Sequence, residues 1–299
     1  MDARAATAIL KQHLDPGLSV RAVRPLRGGM VNQVLEFLTD GDPPSVVAKI
    51  SDDAGHGGFG WEYDALRWHR EHSGLPVPRP YACFDAHDGS PLKGLLLEKV
   101  RGRNLADARL TERGMAHFQA DLARLVADLH EHTRATYGSA LVAGRSTRWL
   151  DEFAPAIGSE FRAVRDRLSP QSRRTVARLL ERLDAWLPEF GRPTLVHGDL
   201  WATNIMVDDA DPDRPAITAF LDGGANYREV ESELAYLRVF GTADTTFFER
   251  YGARHAIRPG FDRRCRVYWL CTMMLHVRVF GNEYLPACER LAGEIGALE

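Results

Sequence analysis

His197-Gly198-Asp199-Leu200-Trp201-Ala202-Thr203-Asn204 is the stretch on which the reading of this chain turns. The apolar run Thr194-Leu195-Val196 leads into it. Ile205-Met206-Val207-Asp208 predicts a strand, Asp209 to Pro215 a turn-rich loop, and Ile217-Thr218-Ala219-Phe220-Leu221 a second strand ending at Asp222-Gly223-Gly224. If these strands pair as an antiparallel hairpin, the start of the first lies beside the end of the second, which sets Asn204 next to Asp222. Asp199 sits on the loop just before. Two carboxylates and an amide then converge from well-separated positions.

Hard oxygen ligands of this kind suit Mg²⁺ carrying a nucleotide polyphosphate. Phosphoryl transfer needs a base near the acceptor hydroxyl and metal ligands near the β- and γ-phosphates. The stretch differs from the protein-kinase signature H-R-D-L-x-x-x-N only in Gly198 for Arg. The plain alternative is a strand–turn–strand whose polar residues are merely solvated. Four matching positions at fixed spacing, with an Asp after the next strand, weigh against it.

That reading makes demands upstream: a lysine on a strand, a glutamate on the following helix and a glycine loop before both. Lys49 lies in Val46-Val47-Ala48-Lys49, close to the V-A-I-K pattern. Glu62 opens a helix predicted over Trp61 to Glu71. Gly28-Gly29-Met30-Val31-Asn32 lies between two predicted strands, where small residues let backbone N–H groups approach phosphates. Taken alone, Lys49 reads as a surface charge and Glu62 as a first-turn acid favoured by the helix dipole. Their order relative to Asp199 and Asp222 is what joins them.

Outward from these motifs, the first hundred residues carry strand and turn signals at Val20 to Leu26, Gln33 to Leu38, Ser45 to Ile50, Tyr81 to Phe84 and Gly94 to Val100. Beyond Arg101-Gly102-Arg103 the apolar spacing turns helical, at Met115 to His132, Arg173 to Leu187, Val230 to Phe240 and Arg263 to Phe280. We therefore expect a sheet-rich lobe over 1–100 and a helical lobe over 101–299. Gly55-His56-Gly57-Gly58-Phe59-Gly60 fits a dinucleotide-binding G-x-G-x-x-G. Asp52 and Asp53 just before it would repel a pyrophosphate, and repeated strand–helix alternation is missing.

Composition excludes several classes. The chain has 299 residues, with 38 Lys plus Arg against 41 Asp plus Glu, a net charge of −3. A nucleic-acid binder usually shows a strong basic excess, and nothing here attracts an anionic membrane. No run reaches the ~20 apolar residues of a membrane span. Cys83, Cys265, Cys271 and Cys288 form no C-x-x-C pair and read as reduced thiols of a cytoplasmic protein. The histidine pairs His69/His72 and His130/His132 lack a clear third metal ligand. His276, in an apolar stretch, reads as a hydrogen-bonded core residue. The oligomeric state is left open.

The chain resembles the aminoglycoside phosphotransferase and choline kinase branch of the protein-kinase-like superfamily, which has H-G-D where protein kinases have H-R-D. Within that branch it is most similar to fructosamine (ketosamine) kinases. The similarity rests on His197-Gly198-Asp199-Leu200-Trp201, Tyr227-Arg228-Glu229, Glu233-Leu234-Ala235, Phe247-Phe248-Glu249-Arg250-Tyr251 and Leu275 to Tyr284, with Gly28 to Asn32 and Phe59 to Glu62 near the start. The family commonly has Ser-Gly where this chain has Ala202-Thr203, and Pro where it has Gly223.

The resemblance implies an α+β, protein-kinase-like bilobal fold. A small N-terminal antiparallel sheet lobe has one main helix, and a larger, mostly helical C-terminal lobe follows. It implies ATP-dependent phosphorylation of a hydroxyl on a ketosamine, a sugar-amine small molecule, with ATP and Mg²⁺ as cofactors. Asp199 would orient or deprotonate the acceptor hydroxyl, and Asn204 and Asp222 would hold Mg²⁺. Lys49 would contact the α/β-phosphates and pair with Glu62, under a loop shaped by Gly28 and Gly29. The backbone from Glu98 to Val100 would hydrogen-bond adenine. Trp201 would stack on the acceptor sugar or else fill the core. Two rival readings keep the fold. One takes an aminoglycoside in an acidic pocket supplied by Asp151, Glu152, Glu229, Glu231 and Glu233. The other is a pseudokinase, which usually lacks one of the key groups that are all present here.

Overall fold

The computed structural model describes residues 1–26, 32–51, 58–85, 92–144, 146–189 and 191–298. In chain order, α1 (Ala3–His13) precedes β1 (Val20–Pro25), β2 (Gln33–Thr39) and β3 (Ser45–Ser51). Then come α2 (Phe59–His72), β4 (Pro80–Phe84), β5 (Lys93–Glu98), β6 (Arg103–Asn104) and α3 (Glu112–His130). Next are β7 (Gly138–Ser139), α4 (Trp149–Val164), α5 (Pro170–Glu181), α6 (Leu183–Trp186), β8 (Thr194–Val196), β9 (Ile205–Asp208) and β10 (Ala216–Phe220). The chain closes with β11 (Asn226–Arg228), α7 (Val230–Val239), α8 (Thr245–Gly252), α9 (Phe261–Phe280) and α10 (Leu285–Gly296). No described helix is long and apolar enough to cross a membrane.

Two compact units emerge, and neither is continuous in sequence. The first takes Met1–Phe118 and Ala202–Ala225, and the second Gln119–Trp201 and Asn226–Glu299. The hairpin of β9 and β10 thus packs with the N-terminal residues, although it lies a hundred residues past the division expected near residue 100.

In the first unit an antiparallel sheet runs in the order β1-β2-β3-β5-β4. Strand alternation decides its faces. On β3, Val46, Ala48 and Ile50 are buried with Leu35 and Phe37 of β2 and Leu96 of β5, and Lys49 therefore points to the opposite face. Helix α1 covers the buried side through Ala6 and Leu10. Its N-terminus is capped by Asp2, whose carboxylate accepts from the Ala5 N–H at 2.8 Å. A second small sheet has the order β10-β9-β6. Gly102, at φ +92°, crosses so close to the Val207 carbonyl that a Cβ would collide with it.

The second unit is mostly helical. Helix α9 is its axis, burying Cys265, Val267, Leu270, Met274 and Val277 and packing against α4, α7 and α10. A three-stranded sheet, β7-β11-β8, carries Leu195 and Val196 into the core and ends just before His197.

Candidate active site

In the first unit, β9 and β10 pair with Ile205 opposite Phe220. One step further, the Leu221 N–H donates to the Asn204 carbonyl at 2.8 Å. The hairpin register therefore sets Asn204, buried, beside the turn that begins at Asp222. Asp222 adopts φ +59°, a left-handed conformation that Asp tolerates better than most residues. Its carboxylate is exposed. The next turn of backbone is fixed from α2, where buried His69 lies with Nε2 3.2 Å from the Gly224 carbonyl and Nδ1 2.8 Å from the Ser73 hydroxyl.

Lys49 stands between two carboxylates. Its Nζ donates to Glu62 Oε1 at 2.6 Å and also to Asp222 Oδ1. Burial works against the ammonium, but Glu62 and then Asp222 outweigh it and hold the Lys49 pKa above its ordinary value. Burial also pushes Glu62 up, with the Asp222 carboxylate adding to the rise and Lys49 opposing it. Glu98 ends β5, with its N–H bonded to the Arg79 carbonyl at 2.9 Å and its side chain to the Arg79 N–H at 2.9 Å. Val100 follows, half-buried, just beyond the strand. Gly28 and Gly29 lie outside the described residues.

In the second unit, Asp199 Oδ1 accepts from the Tyr236 hydroxyl. The loop around it is fixed by Glu233, whose side chain is fully buried. Its carboxylate accepts from the Gly198 N–H at 2.6 Å and the His197 N–H at 3.2 Å, and His130 Nε2 lies 3.0 Å away. Burial raises the pKa of Glu233, but these bonds and the His130 and His197 rings outweigh it and hold it below the usual carboxylate value. His130 is thus a buried partner of Glu233 and of the Tyr251 hydroxyl, at 2.8 Å. His276 Nδ1 lies 2.8 Å from its own helix at the Thr272 carbonyl. Among the described residues no cluster of three or more His, Cys, Asp or Glu could hold a metal.

Gly198, Glu233 and Tyr236 line a cavity of about 460 Å³ in the second unit, walled further by Arg228, Glu152 and Cys271. This is the pocket that sequence reasoning left unbuilt, because its walls come from α4, β7, β11, α7 and α9. The acids expected to make it negative divide. Glu152 and Glu233 line it, together with Glu160. Glu229 and Glu231 are buried elsewhere, in ion pairs with Arg258 and Arg264: Glu229 Oε1 is 2.6 Å from Arg258 Nη2, and Glu231 Oε2 2.6 Å from Arg264 Nε. Asp151 is exposed. Glu229 is therefore not brought to the cavity. Its burial pushes its pKa up to about 7, against the pull of Arg258. Trp201 is half-buried, with its ring 6.1 Å from that of Phe240, which in turn abuts Tyr236.

The fold is of the protein-kinase-like class. An aminoglycoside phosphotransferase structure, a ternary complex with AMP-PNP and hygromycin B, superposes with a TM-score of 0.67 at 20% identity, covering 99% of this chain and 98% of that one. The crystal structure of an assigned fructosamine-3-kinase from Haemophilus somnus 129PT superposes with a TM-score of 0.76 at 17% identity, covering 97% and 96%. Ketosamine-3-kinase of Mus musculus is 25% identical over 306 aligned positions, 89% of this chain and 92% of its own. The fructosamine kinase family profile matches residues 2–296, and the chain belongs to that family. Its members are ATP-dependent kinases that phosphorylate sugar hydroxyls.

Proposed function

We propose that this chain transfers the γ-phosphate of ATP to a sugar hydroxyl of a ketosamine. The observation that carries the reading is the bond to Asp199 from Tyr236, whose side chain lines the cavity of the second unit. A carboxylate held there can accept the proton of an acceptor hydroxyl. Asp199 is the base, and Tyr236 fixes which of its oxygens faces the acceptor. Lys49 neutralises the α/β-phosphates, and Glu62 keeps it extended for that purpose. The backbone of Glu98 and Val100 takes the adenine edge. Trp201 flanks the acceptor side.

Asn204 and Asp222 would hold Mg²⁺. They are two hard oxygen donors set side by side by the hairpin register, which suits an ion that takes its remaining ligands from phosphates and water. When bound, that ion supplies neutralisation of charge developing on the β- and γ-phosphates. Residues 1–100 supply the nucleotide-binding groups and residues 101–299 the catalytic loop and acceptor cavity. With ATP as donor and reduced thiols at four positions, we place the reaction in the cytoplasm. The balanced charge supports a small-molecule acceptor with neither nucleic acid nor membrane as partner.

The test is coupled ADP release across fructosamines, ribulosamines and aminoglycosides, with and without magnesium. Turnover of ketosamines that stops on chelation is expected. Silence on every ketosamine with turnover of an aminoglycoside overturns the reading.

A further inference from the structure

The cavity of the second unit has a cation that the proposed transfer does not use. Arg228 ends β11 and lines the cavity half-buried. Its guanidinium lies against the catalytic loop, where a Cβ on Gly198 would come within 3.6 Å of Nη1. Among the described residues the guanidinium makes no hydrogen bond and no ion pair. The surrounding acids are otherwise engaged. Glu233 holds the His197 and Gly198 N–H groups. Glu160 takes Arg278 through two bonds of 2.7 and 3.0 Å. Glu152 accepts from the Ser146 hydroxyl at 2.5 Å.

A guanidinium is a planar fork of donors matched to an oxyanion, and taking it from water without a partner is costly. Burial works against its charge and holds its pKa below the ordinary arginine value, while Glu233, Asp199 and Glu152 lie near enough to offset part of that without bonding to it. We infer that Arg228 is a specificity subsite for the carboxylate of an acceptor derived from an amino acid, a conclusion that rests on the ketosamine reading. Such an acceptor is a zwitterion: its amine is cationic and its carboxylate anionic, a few bonds apart. The cavity offers both signs, with Glu152 on α4, whose partner among the described residues is the neutral Ser146 hydroxyl, and Arg228 on β11. A phosphate dianion suits it less, because Glu152 and Glu233 line the same cavity and repel a second negative charge.

The test compares three acceptors by coupled ADP release: the fructosamine of glycine, the fructosamine of methylamine, which lacks only the carboxylate, and the 6-phosphate of the methylamine adduct. Wild-type enzyme should favour the glycine adduct over the methylamine adduct by on the order of ten- to a hundred-fold in kcat/KM, mostly through KM. In Arg228→Gln the ratio should fall close to one. Arg228→Lys, which keeps the charge without the fork, should retain part of the preference, and it reads the same ratio should Arg228→Gln fail to fold. Equal use of the two adducts by wild type, an unchanged ratio in Arg228→Gln, or a preference for the phosphorylated adduct overturns the subsite and leaves the ketosamine reading standing. Silence on all three adducts overturns the ketosamine reading, and the subsite falls with it.

Discussion

His69 and Gly224, 155 positions apart, are joined by a contact of 3.2 Å between the imidazole Nε2 and the backbone carbonyl. The imidazole is buried on α2 and the carbonyl belongs to the turn that begins at Asp222. Since a carbonyl only accepts, Nε2 carries the proton in this pairing. Helix α2 therefore holds that turn at two points, through His69 to Gly224 and through Glu62 and Lys49 to Asp222.

His69→Leu should strip the Gly224 carbonyl of a donor and cost about 1–3 kcal/mol of stability. It should also raise the magnesium concentration needed for half-maximal rate, because Asp222 loses its fixed turn. His69→Asn, which keeps a donor, should recover part of both. Thermal melting and a magnesium titration of the rate check these outcomes.

Asp199→Asn should lower kcat by roughly 10²–10⁴-fold, the usual worth of a positioned base, with little change in ATP affinity. Tyr236→Phe removes only the hydroxyl that orients Asp199 and should cost about ten-fold in kcat. Equal losses in the two variants would mean that the tyrosine does more than orient. Steady-state kinetics and nucleotide titration separate these effects.

Lys49→Met should weaken ATP binding and leave Glu62 and Asp222 with no shared cation. Two carboxylates facing each other across that gap repel, so the loss should exceed that of Glu62→Gln, which leaves Lys49 paired with Asp222. A nucleotide-binding titration of both variants at neutral pH orders them.

Glu229 sets a dependence on pH. Its folded-state pKa is raised to about 7 from 4.5, first by burial. The folded state therefore holds the proton more tightly than the unfolded state does. The stability this contributes is complete below pH ~4.5 and is lost as pH rises through ~7. Glu229→Gln removes that slope. Relative to the variant, wild type should lose on the order of 2 kcal/mol between pH 5 and 8, read from melting temperatures across that range. Glu233 works in the opposite sense. Its pKa is depressed, so its contribution is present above the ordinary carboxylate value and is lost in acid.

Much of the first unit was legible because its signals are local. The alternation that buries Val46, Ala48 and Ile50 is also what turns Lys49 to the other face. The β9–β10 hairpin follows from two short apolar runs and a polar turn. Helix α4 escaped the pattern because Pro155 and Gly158 break its run of good helix formers, although its burial is helical throughout. Helix α1 was passed over because polar and small residues dilute its two buried positions, Ala6 and Leu10. Strands β7 and β11 are two and three residues long, too short for any period to show. The cavity of the second unit has no local signature, since five elements from well-separated parts of the chain wall it. The contrast between Arg228 and Glu229 is instructive. Neighbours on extended backbone face opposite ways, so Arg228 reaches the cavity and Glu229 the Arg258 ion pair.

Glu233 places a constraint on how this enzyme could diversify. The side chain that fixes the His197 and Gly198 backbone stands on the same helix as Tyr236. Changes on α7 that would suit a new acceptor therefore put turnover itself at risk. The apolar positions Ala156 on α4 and Leu275 on α9 offer cavity surface on other elements. Divergence in substrate preference should accumulate on those walls, while α7 stays under the tighter selection.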